Sequence, residues 1–257
     1  MPLRPYLLAE TNLRRLQAEP PRVAVLPWGA TEAHNYHMPY GTDVYEAQAI
    51  AGEAARRAAE LGTPAIVLPV IPFGNDGQQL DQVATISITT ATSLAILGDV
   101  AHSLVTQGID RLLIVNGHGG NHFKPTIRDL EAKFPLLVVL ANFFDLATDT
   151  HQQLFELPGD HADEMETSLM LHLHPELVEF DQAGPGTRVA TPLDDLKQLG
   201  AWSPRPWSKC HPDTGSGDPS RATAEKGQRY FEAITESLAQ IIARMASSDC
   251  DSLVPEV

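Results

Sequence analysis

Four short apolar runs constrain the fold of this chain more than any other feature. They span residues 23–26, 65–71, 111–115 and 136–141. Each run is apolar at nearly every position rather than at alternate positions, which is typical of strands buried on both faces. Helical sequence separates the runs. The pattern therefore predicts an α/β fold in a single domain, with a central, mainly parallel sheet and helices on both faces.

The segments between and beyond these runs have the composition of helices. The predicted helices span residues 7–18, 44–61, 92–107, 123–134, about 160–173 and 222–245. In the first of them, Leu8, Leu13 and Leu16 have the spacing of core contacts. Polar and apolar residues alternate over 84–88, which predicts a short exposed strand. We expect all these elements to form one domain, residues 1–257.

The stretch 184–219 is irregular and contains many prolines and glycines. It also contains Trp202 and Trp207, whose large side chains need apolar surroundings. We therefore expect it to be a packed excursion or a lid on the domain instead of a linker between two domains. The last residues, 247–257, are expected to form a frayed tail.

Composition narrows the class of partner. The formal net charge of −15 over 257 residues argues against nucleic acid or an anionic membrane surface. Solubility is the simplest reason for this charge, and some of the acids can also be metal ligands. There is no apolar run near the ~18 residues of a membrane span. The first residues, 1–5, lack the long apolar core that is typical of a signal peptide. Cys210 and Cys250 form no CxxC pattern. We expect a cytoplasmic protein that acts on a small molecule.

A polar loop, residues 29–43, follows the first predicted strand. It holds Glu32, His34, His37 and Asp43 between prolines and glycines, which favour a fixed backbone path. Glu, His and Asp together are the ligand types that bind zinc, manganese or iron. We interpret this loop as half of a metal site.

Two further polar loops leave the same predicted edge of the sheet. Residues 73–81 follow the second strand and residues 116–121 follow the third. In an open parallel sheet, ligands bind beyond the carboxyl ends of the strands. The element order therefore places His118 near the histidine and carboxylates of the first loop. Gly117, Gly119 and Gly120 indicate either clearance for a ligand or a strand-to-helix turn.

A fourth polar segment, residues 159–168, contains His161 and Glu166 at the start of a predicted helix. The positive end of a helix dipole stabilises a carboxylate, so Glu166 can serve a site or only complement the dipole. A lone histidine is more often a hydrogen-bonding residue than a ligand, and four are interpreted as structural: His102, His122, His172 and His174. His37 is a candidate for orienting a ligand. There is no GxSxG elbow, Walker loop or GxGxxG fingerprint.

These residues resemble the signature motifs of the creatininase (creatinine amidohydrolase) family. The matching stretches are Glu32-Ala33-His34 with Met38-Pro39 and Gly41-Thr42-Asp43, then Asn116-Gly117-His118-Gly119-Gly120-Asn121, then Gly159-Asp160-His161-Ala162 with Glu166-Thr167-Ser168, and finally Gly217-Asp218-Pro219 with Ala222-Thr223-Ala224-Glu225-Lys226-Gly227. They span most of the chain in the family's order. The resemblance implies one α/β domain, a homo-oligomer that is often a hexamer, and a site for two divalent metal ions.

The resemblance also implies roles for individual residues. Glu32, Asp43 and His118 would hold one metal, and His34 would hold the second with Asp43 as the bridge. In creatininase itself, a further ligand to the second metal is a glutamate at the position where this chain has Gly120. We take Glu166 as the substitute, either as a ligand or as a base, and His161 as the family's catalytic histidine. Zinc is the expected metal, with manganese or iron as alternatives.

The predicted activity is metal-dependent hydrolysis of a non-peptide C–N bond, most simply the ring opening of a small cyclic amide. Creatinine itself is not assigned as the substrate, because Gly120 and the loop around Gln78 and Asp81 depart from the family pattern. The alternatives are a formamide or a cyclic sugar-derived substrate on the same two metals, and a metal-binding homologue without catalysis.

Overall fold

The computed structural model describes residues 3–196 and 198–249. Its centre is a parallel sheet in the order β2-β1-β3-β4. The strands are β1 (Val23–Trp28), β2 (Ala65–Val67), β3 (Arg111–Asn116) and β4 (Leu137–Asn142). In the register, Leu26 of β1 pairs with Ile114 of β3, which in turn pairs with Leu140 of β4. The predicted α/β class with a parallel sheet is confirmed.

Eight α-helices and a small second sheet complete the part of the chain that the structure describes. The helices are α1 (Leu13–Ala18), α2 (Thr42–Glu60), α3 (Thr90–Thr106), α4 (Phe123–Glu131), α5 (Thr148–Leu154), α6 (Glu164–Leu173), α7 (Trp207–Cys210) and α8 (Ala224–Ser247). The second sheet pairs β5 (Gly159–His161) with β6 (Ser216–Gly217) in antiparallel fashion. Short 3₁₀ turns lie at Leu8–Glu10, Gly77–Gln79, Phe143–Asp145, Pro175–Leu177 and Phe180–Gln182.

Both faces of the sheet are covered, which explains why the strands are apolar at nearly every position. Successive strand residues point to opposite faces. Val25 and Leu113 pack with α2 and α8 on one face. Leu26 and Ile114 pack with α3 and α4 on the other. The polar motifs therefore lie in the loops that follow the strands, at the carboxyl ends of the strands.

Helix starts follow local capping chemistry. Thr89 caps α3 and Thr223 caps α8, each side chain accepting a hydrogen bond from a first-turn amide. Asp163 caps α6, because its Oδ1 accepts from the amides of Met165 at 2.9 Å and Glu166 at 3.1 Å. The sequence placed Asp160 or His161 just before this helix. The cap therefore lies later than predicted, and His161 lies on β5, outside the helix.

Helices α6 and α8 cross at very short distance, which glycine permits. A Cβ added at Gly227 would lie 1.9 Å from the carbonyl oxygen of Ser168. Thr223, at the start of α8, also receives a contact from α6, since its amide donates to Ser168 Oγ at 3.2 Å. The C-terminal helix is therefore seated on the helix that carries Glu166.

Several predicted features differ in the structure. The helix over 7–18 is divided into a 3₁₀ turn and α1, because Asn12 caps a new helix through its side chain. Leu8 and Leu13 are exposed and only Leu16 packs on the core. The segment 84–88 forms only isolated bridges, at Ile86 and Ser87.

The excursion, helix α5 and the tail also differ from the prediction or lie partly outside the described residues. In the excursion, Trp207 is buried but Trp202 is 80% exposed, so the expected burial of Trp202 is wrong. Helix α5 was not predicted, because its polar sequence lacks an apolar period. The predicted tail lies mostly outside the described residues. In the described part of the chain, no helix has the length and apolar character needed to cross a membrane.

Candidate metal centre

The three predicted loops meet at the carboxyl edge of the sheet, and backbone contacts fix their paths. The Trp28 indole N–H donates to the carbonyl of Phe73 at 2.9 Å, and the Gly117 amide donates to the carbonyl of Trp28 at 2.9 Å. Asn116 Oδ1 accepts from the amide of His118 at 3.2 Å and its Nδ2 donates to the carbonyl of the same residue at 2.8 Å. The backbone on both sides of the His118 side chain is thus held by a strand residue.

The close approach of α2 to this edge depends on glycine. A Cβ at Gly29 would lie 2.7 Å from the Asp43 carbonyl carbon, and one at Gly117 would lie 2.9 Å from the Asp43 carbonyl oxygen. Gly117 therefore gives clearance to helix α2 rather than to a ligand. Asp43 lies in the first turn of α2, where the helix dipole stabilises its charge.

His118 forms the first half of the cluster with two carboxylates. Its Nδ1 lies 2.8 Å from Glu32 Oε1 and 3.1 Å from Asp43 Oδ2. All three side chains are buried. Neither carboxylate oxygen has a hydrogen-bond partner in the described structure. Buried oxygens without a donor are costly, and a cation between them and the imidazole nitrogen would remove that cost.

His34 forms the second half. Its Nε2 lies 2.9 Å from Asp43 Oδ1 and 4.0 Å from Glu166 Oε2. Its Nδ1 lies 3.1 Å from the carbonyl of Glu32, so Nδ1 carries the proton and Nε2 faces the carboxylates. The two oxygens of Asp43 thus face different histidines, as in a carboxylate that bridges two metal ions.

His161 lies against this second half. Its ring stacks on that of His34, with 4.2 Å between centroids. Its Nε2 donates to the carbonyl of Ala33 at 2.8 Å, which leaves the Nδ1 lone pair 3.8 Å from Glu32 Oε1. Burial and the neighbouring His34 lower the pKa of His161 to about 3. His161 is therefore neutral, with a proton acceptor directed at the cluster.

The cluster without metal holds protons at several groups. Burial raises the pKa of Glu166 to about 8 and raises that of Glu32. Burial alone would lower the pKa of His34, but Asp43, Glu166 and Glu32 raise it to about 10. The same balance, with burial opposed by Glu32, Asp43 and Asp76, raises the pKa of His118 well above its usual range. Cations that bind here would displace these protons.

Gly120 explains why the site cannot contain a carboxylate at that position. A Cβ on Gly120 would lie 2.4 Å from the carbonyl oxygen of Asn75 and 2.4 Å from His118 Nε2. The loop of residues 73–81 therefore occupies the space into which a longer side chain would extend. Glu166 instead lies with His34 and Asp43, and their ligand atoms are within 4.8 Å of one another.

The structure brings all five predicted ligands and His161 together. His37 contacts none of the ligands; its Nε2 bonds Thr167 Oγ1 at 2.9 Å, beside Glu166 on α6. His122 is exposed and lines the cavity, where the sequence suggested a structural role. His172 lies in the last turn of α6 and packs against Phe231, and His174 follows the helix as its C-cap and packs against Tyr45.

Two residues of the cluster were missed by the sequence reasoning. Asp76 is buried with Oδ1 2.8 Å from His118 Nε2, and the Gln79 amide donates to Glu32 Oε2. The loop 73–81 was singled out, but for Gln78 and Asp81. Gln78 lines the cavity, whereas Asp81 accepts a hydrogen bond from Ser208. A polar loop of this kind has no periodicity to show which side chains face inward.

The cluster opens into a cavity of about 490 Å³. Its wall away from the cluster is contributed by β5, the excursion, the 3₁₀ turn after β4 and helices α5 and α6. Arg205 stacks over Trp207 with its guanidinium carbon 4.5 Å from the ring centroid, and its Nη2 lies 3.0 Å from Asp160 Oδ2. The wall residues are Phe144, His151, Asp160, Met165, Trp202, Ser203, Pro204, Arg205 and Trp207.

A parallel α/β sheet with buried histidines and carboxylates at its carboxyl edge, beneath a cavity, defines a metal-dependent hydrolase. A family model described as "Creatininase: Creatinine amidohydrolase" matches residues 8–242. The chain belongs to the creatininase family, as the motifs predicted.

Individual relatives show how close the likeness is. A solved structure from Bacteroides fragilis NCTC 9343, provisionally assigned as a creatinine amidohydrolase, is 42% identical, with a TM-score of 0.90 over 97% of this chain and 99% of that one. The "Mycofactocin precursor peptide peptidase" of Mycolicibacterium smegmatis is 31% identical over 93% of this chain and 92% of its own. The structure "Creatininase Mn" is 25% identical, with a TM-score of 0.79 over 95% of this chain and 99% of that one.

Proposed function

We propose that this protein hydrolyses an amide C–N bond at a centre for two divalent metal ions. The observation that carries the proposal is Asp43, whose two oxygens face His118 and His34 at 3.1 Å and 2.9 Å. Glu32, Asp43 and His118 would hold one ion. His34, Asp43 and Glu166 would hold the other. Zinc is the expected metal, and manganese or iron fits the same donors.

The fit of this donor set rests on the unpaired oxygens of Glu32 and Asp43 and on the fixed nitrogens of His34 and His118. When bound, divalent cations lower the pKa of a water molecule and polarise a carbonyl group. Gln79 holds the second oxygen of Glu32, so the remaining oxygen keeps its direction. The buried position of the whole cluster keeps bulk water away from these charges.

His161 is the residue we assign to proton transfer. Its Nε2–H is committed to the carbonyl of Ala33, and its bare Nδ1 faces the cluster. In amide hydrolysis this nitrogen would take a proton and deliver it to the leaving nitrogen of the substrate. Burial raises the pKa of the Glu166 carboxyl above its ordinary value. Glu166 would bind metal, or would act as the base if it binds no metal.

The first candidate substrate is a small cyclic amide, which the family's description as creatinine amidohydrolase supports. The second candidate is an amide in a short peptide, for which two observations speak. The cavity of about 490 Å³ is in the size range of sites for molecules larger than one small ring. A relative with 31% identity is a precursor peptide peptidase. A cyclic sugar-derived substrate has the support of one relative at 24% identity, the "3-dehydro-scyllo-inosose hydrolase" of Thermotoga maritima. A formamide substrate and a non-catalytic role have no such support.

Matched variants test the proposal. His118→Ala should lose at least one metal ion per chain and nearly all turnover in a panel of cyclic amides, linear peptides and esters. His122→Ala is the control, since this histidine lines the cavity but belongs to none of the groups of possible metal ligands among the described residues. Elemental analysis counts the metals. A fully active His118→Ala protein without metal would refute the proposal, and the panel separates the two substrate classes.

We also propose a homo-oligomer, with a hexamer as the state that the resemblance implies, and a cytoplasmic location. Light scattering after size-exclusion chromatography measures the oligomeric state.

A further inference from the structure

Asp76 is a buried carboxylate that the roles above do not use. It lies between β2 and the 3₁₀ turn Gly77–Gln79, with 1% of its surface exposed. Its amide is held by Ser87 Oγ at 2.9 Å. Its carboxylate makes no well-aligned hydrogen bond within the described residues, yet Oδ1 lies 2.8 Å from His118 Nε2. A charge buried this deeply needs a partner, and the imidazole is the one at hand.

Asp76 and the proposed metal lie on opposite sides of the imidazole. Nδ1 of His118 faces Glu32 and Asp43, whereas Nε2 faces Asp76 and, at 3.3 Å, the carbonyl of Asn75. The bonding directions of the two ring nitrogens diverge. Asp76 also has a ligand atom within 4.8 Å of those of Glu32 and His118, but its Oδ1 lies on the Nε2 side of the ring, 2.8 Å from that nitrogen. Nε2 must carry the hydrogen because only acceptors surround it.

We propose that Asp76 is a positioning residue that sets the affinity of the metal position formed by Glu32, Asp43 and His118. This inference rests on the proposed two-metal centre. By attracting the Nε2–H, Asp76 fixes the ring with Nδ1 toward the other ligands and makes that nitrogen a stronger donor. Carboxylates behind metal-binding histidines act in this way in other proteins.

The surroundings fit this role. Gly120 allows the Asn75 carbonyl to approach Nε2, and a Cβ at Gly74 would lie 2.8 Å from His118 Cδ2. The amide of Asn75 is held by Asn121 Oδ1 at 3.1 Å. The loop that carries Asp76 is therefore pressed against the ring and tied to the loop that carries His118. Among the described residues, the group of possible ligands formed by His34, Asp43 and Glu166 does not include Asp76.

Metal affinity of the whole protein tests the inference. Asp76→Asn keeps the side chain's shape and removes its charge. With Mn²⁺ and Zn²⁺ titrated against a competing chelator, we expect one of the two binding events to weaken about 10- to 100-fold while the other is unchanged. Asp81→Asn is the control in the same loop, because Asp81 bonds Ser208 away from the cluster. Asp76→Ser carries the same expectation should Asp76→Asn fail to fold.

The outcomes separate this inference from the proposed function. A metal-free Asp76→Asn protein with wild-type melting temperature and one weakened site supports it. Two wild-type affinities in Asp76→Asn, in a protein whose wild type binds two metals and hydrolyses amides, overturn the positioning role alone. An equal weakening of both sites also overturns it, since a general structural role gives that result. A wild-type protein that binds no metal overturns both proposals.

Discussion

Replacing Gly120 by alanine probes the packing of the proposed centre with one methyl group. The added Cβ would lie 2.4 Å from the carbonyl oxygen of Asn75 and 2.4 Å from His118 Nε2, where ordinary contacts begin at 3.4 Å. Both contacts must open, so the Cβ displaces the His118 ring together with the Asn75 carbonyl, whose loop is anchored through its amide to Asn121. The required displacement is about 1 Å, which typically costs about 100-fold in rate when it moves a catalytic group.

We therefore expect kcat/KM of Gly120→Ala to fall about 100-fold, equivalent to about 2.7 kcal/mol of transition-state stabilisation. The assay is hydrolysis of the best amide from the panel, with metals counted by elemental analysis. Gly119→Ala is the matched control one residue away, because its Cβ would meet nothing within 4 Å. Equal activity and equal metal content in Gly120→Ala, Gly119→Ala and wild type would refute the packing argument.

Three further predictions concern stability. In a denaturant titration, Gly227→Ala should lower the free energy of unfolding by about 3 kcal/mol, because its Cβ would lie 1.9 Å from the Ser168 carbonyl oxygen. Gly98→Ala in α3, with open space around it, should not destabilise the protein in the same titration. Arg111→Met should cost about 3 kcal/mol in that assay, because it leaves the carbonyls of Met245 and Ser248 without their buried guanidinium donor; an unchanged midpoint would contradict this. The metal-free protein should lose stability as pH rises from 6.5 to about 10, because the pKa of His34 is higher in the folded chain than in the unfolded chain. In that pH range the folded chain keeps a proton that the unfolded chain has lost. The slope of the denaturation midpoint against pH should therefore flatten in His34→Gln.

The sheet and the meeting of the loops could be predicted because they follow from long-range rules with clear local signals. Apolar runs buried on both faces specify parallel strands, and parallel strands end at one edge. This was enough to bring His118 to Glu32, His34 and Asp43. The structure adds the directions of the side chains, above all the two oxygens of Asp43 toward different histidines.

What could not be predicted depends on contacts between loops. Asp76 and Gln79 lie in a polar loop without periodicity, and only the contacts of Asp76 with His118 and of Gln79 with Glu32 show that they face inward. The start of α6 was placed too early because two aspartates compete for the cap, and Asp163 has the aligned oxygen. The exposure of Trp202 depends on how the excursion lies over the cavity, which composition does not encode.

The central claim is that two metal ions at this cluster hydrolyse an amide. Its most direct test is to strip the purified protein with a chelator and add back Zn²⁺ or Mn²⁺ while amide hydrolysis is followed. We predict that hydrolysis is lost on stripping and returns until two ions are bound per chain. Hydrolysis that survives complete removal of metal, or full metal binding without hydrolysis of any amide in the panel, would contradict it.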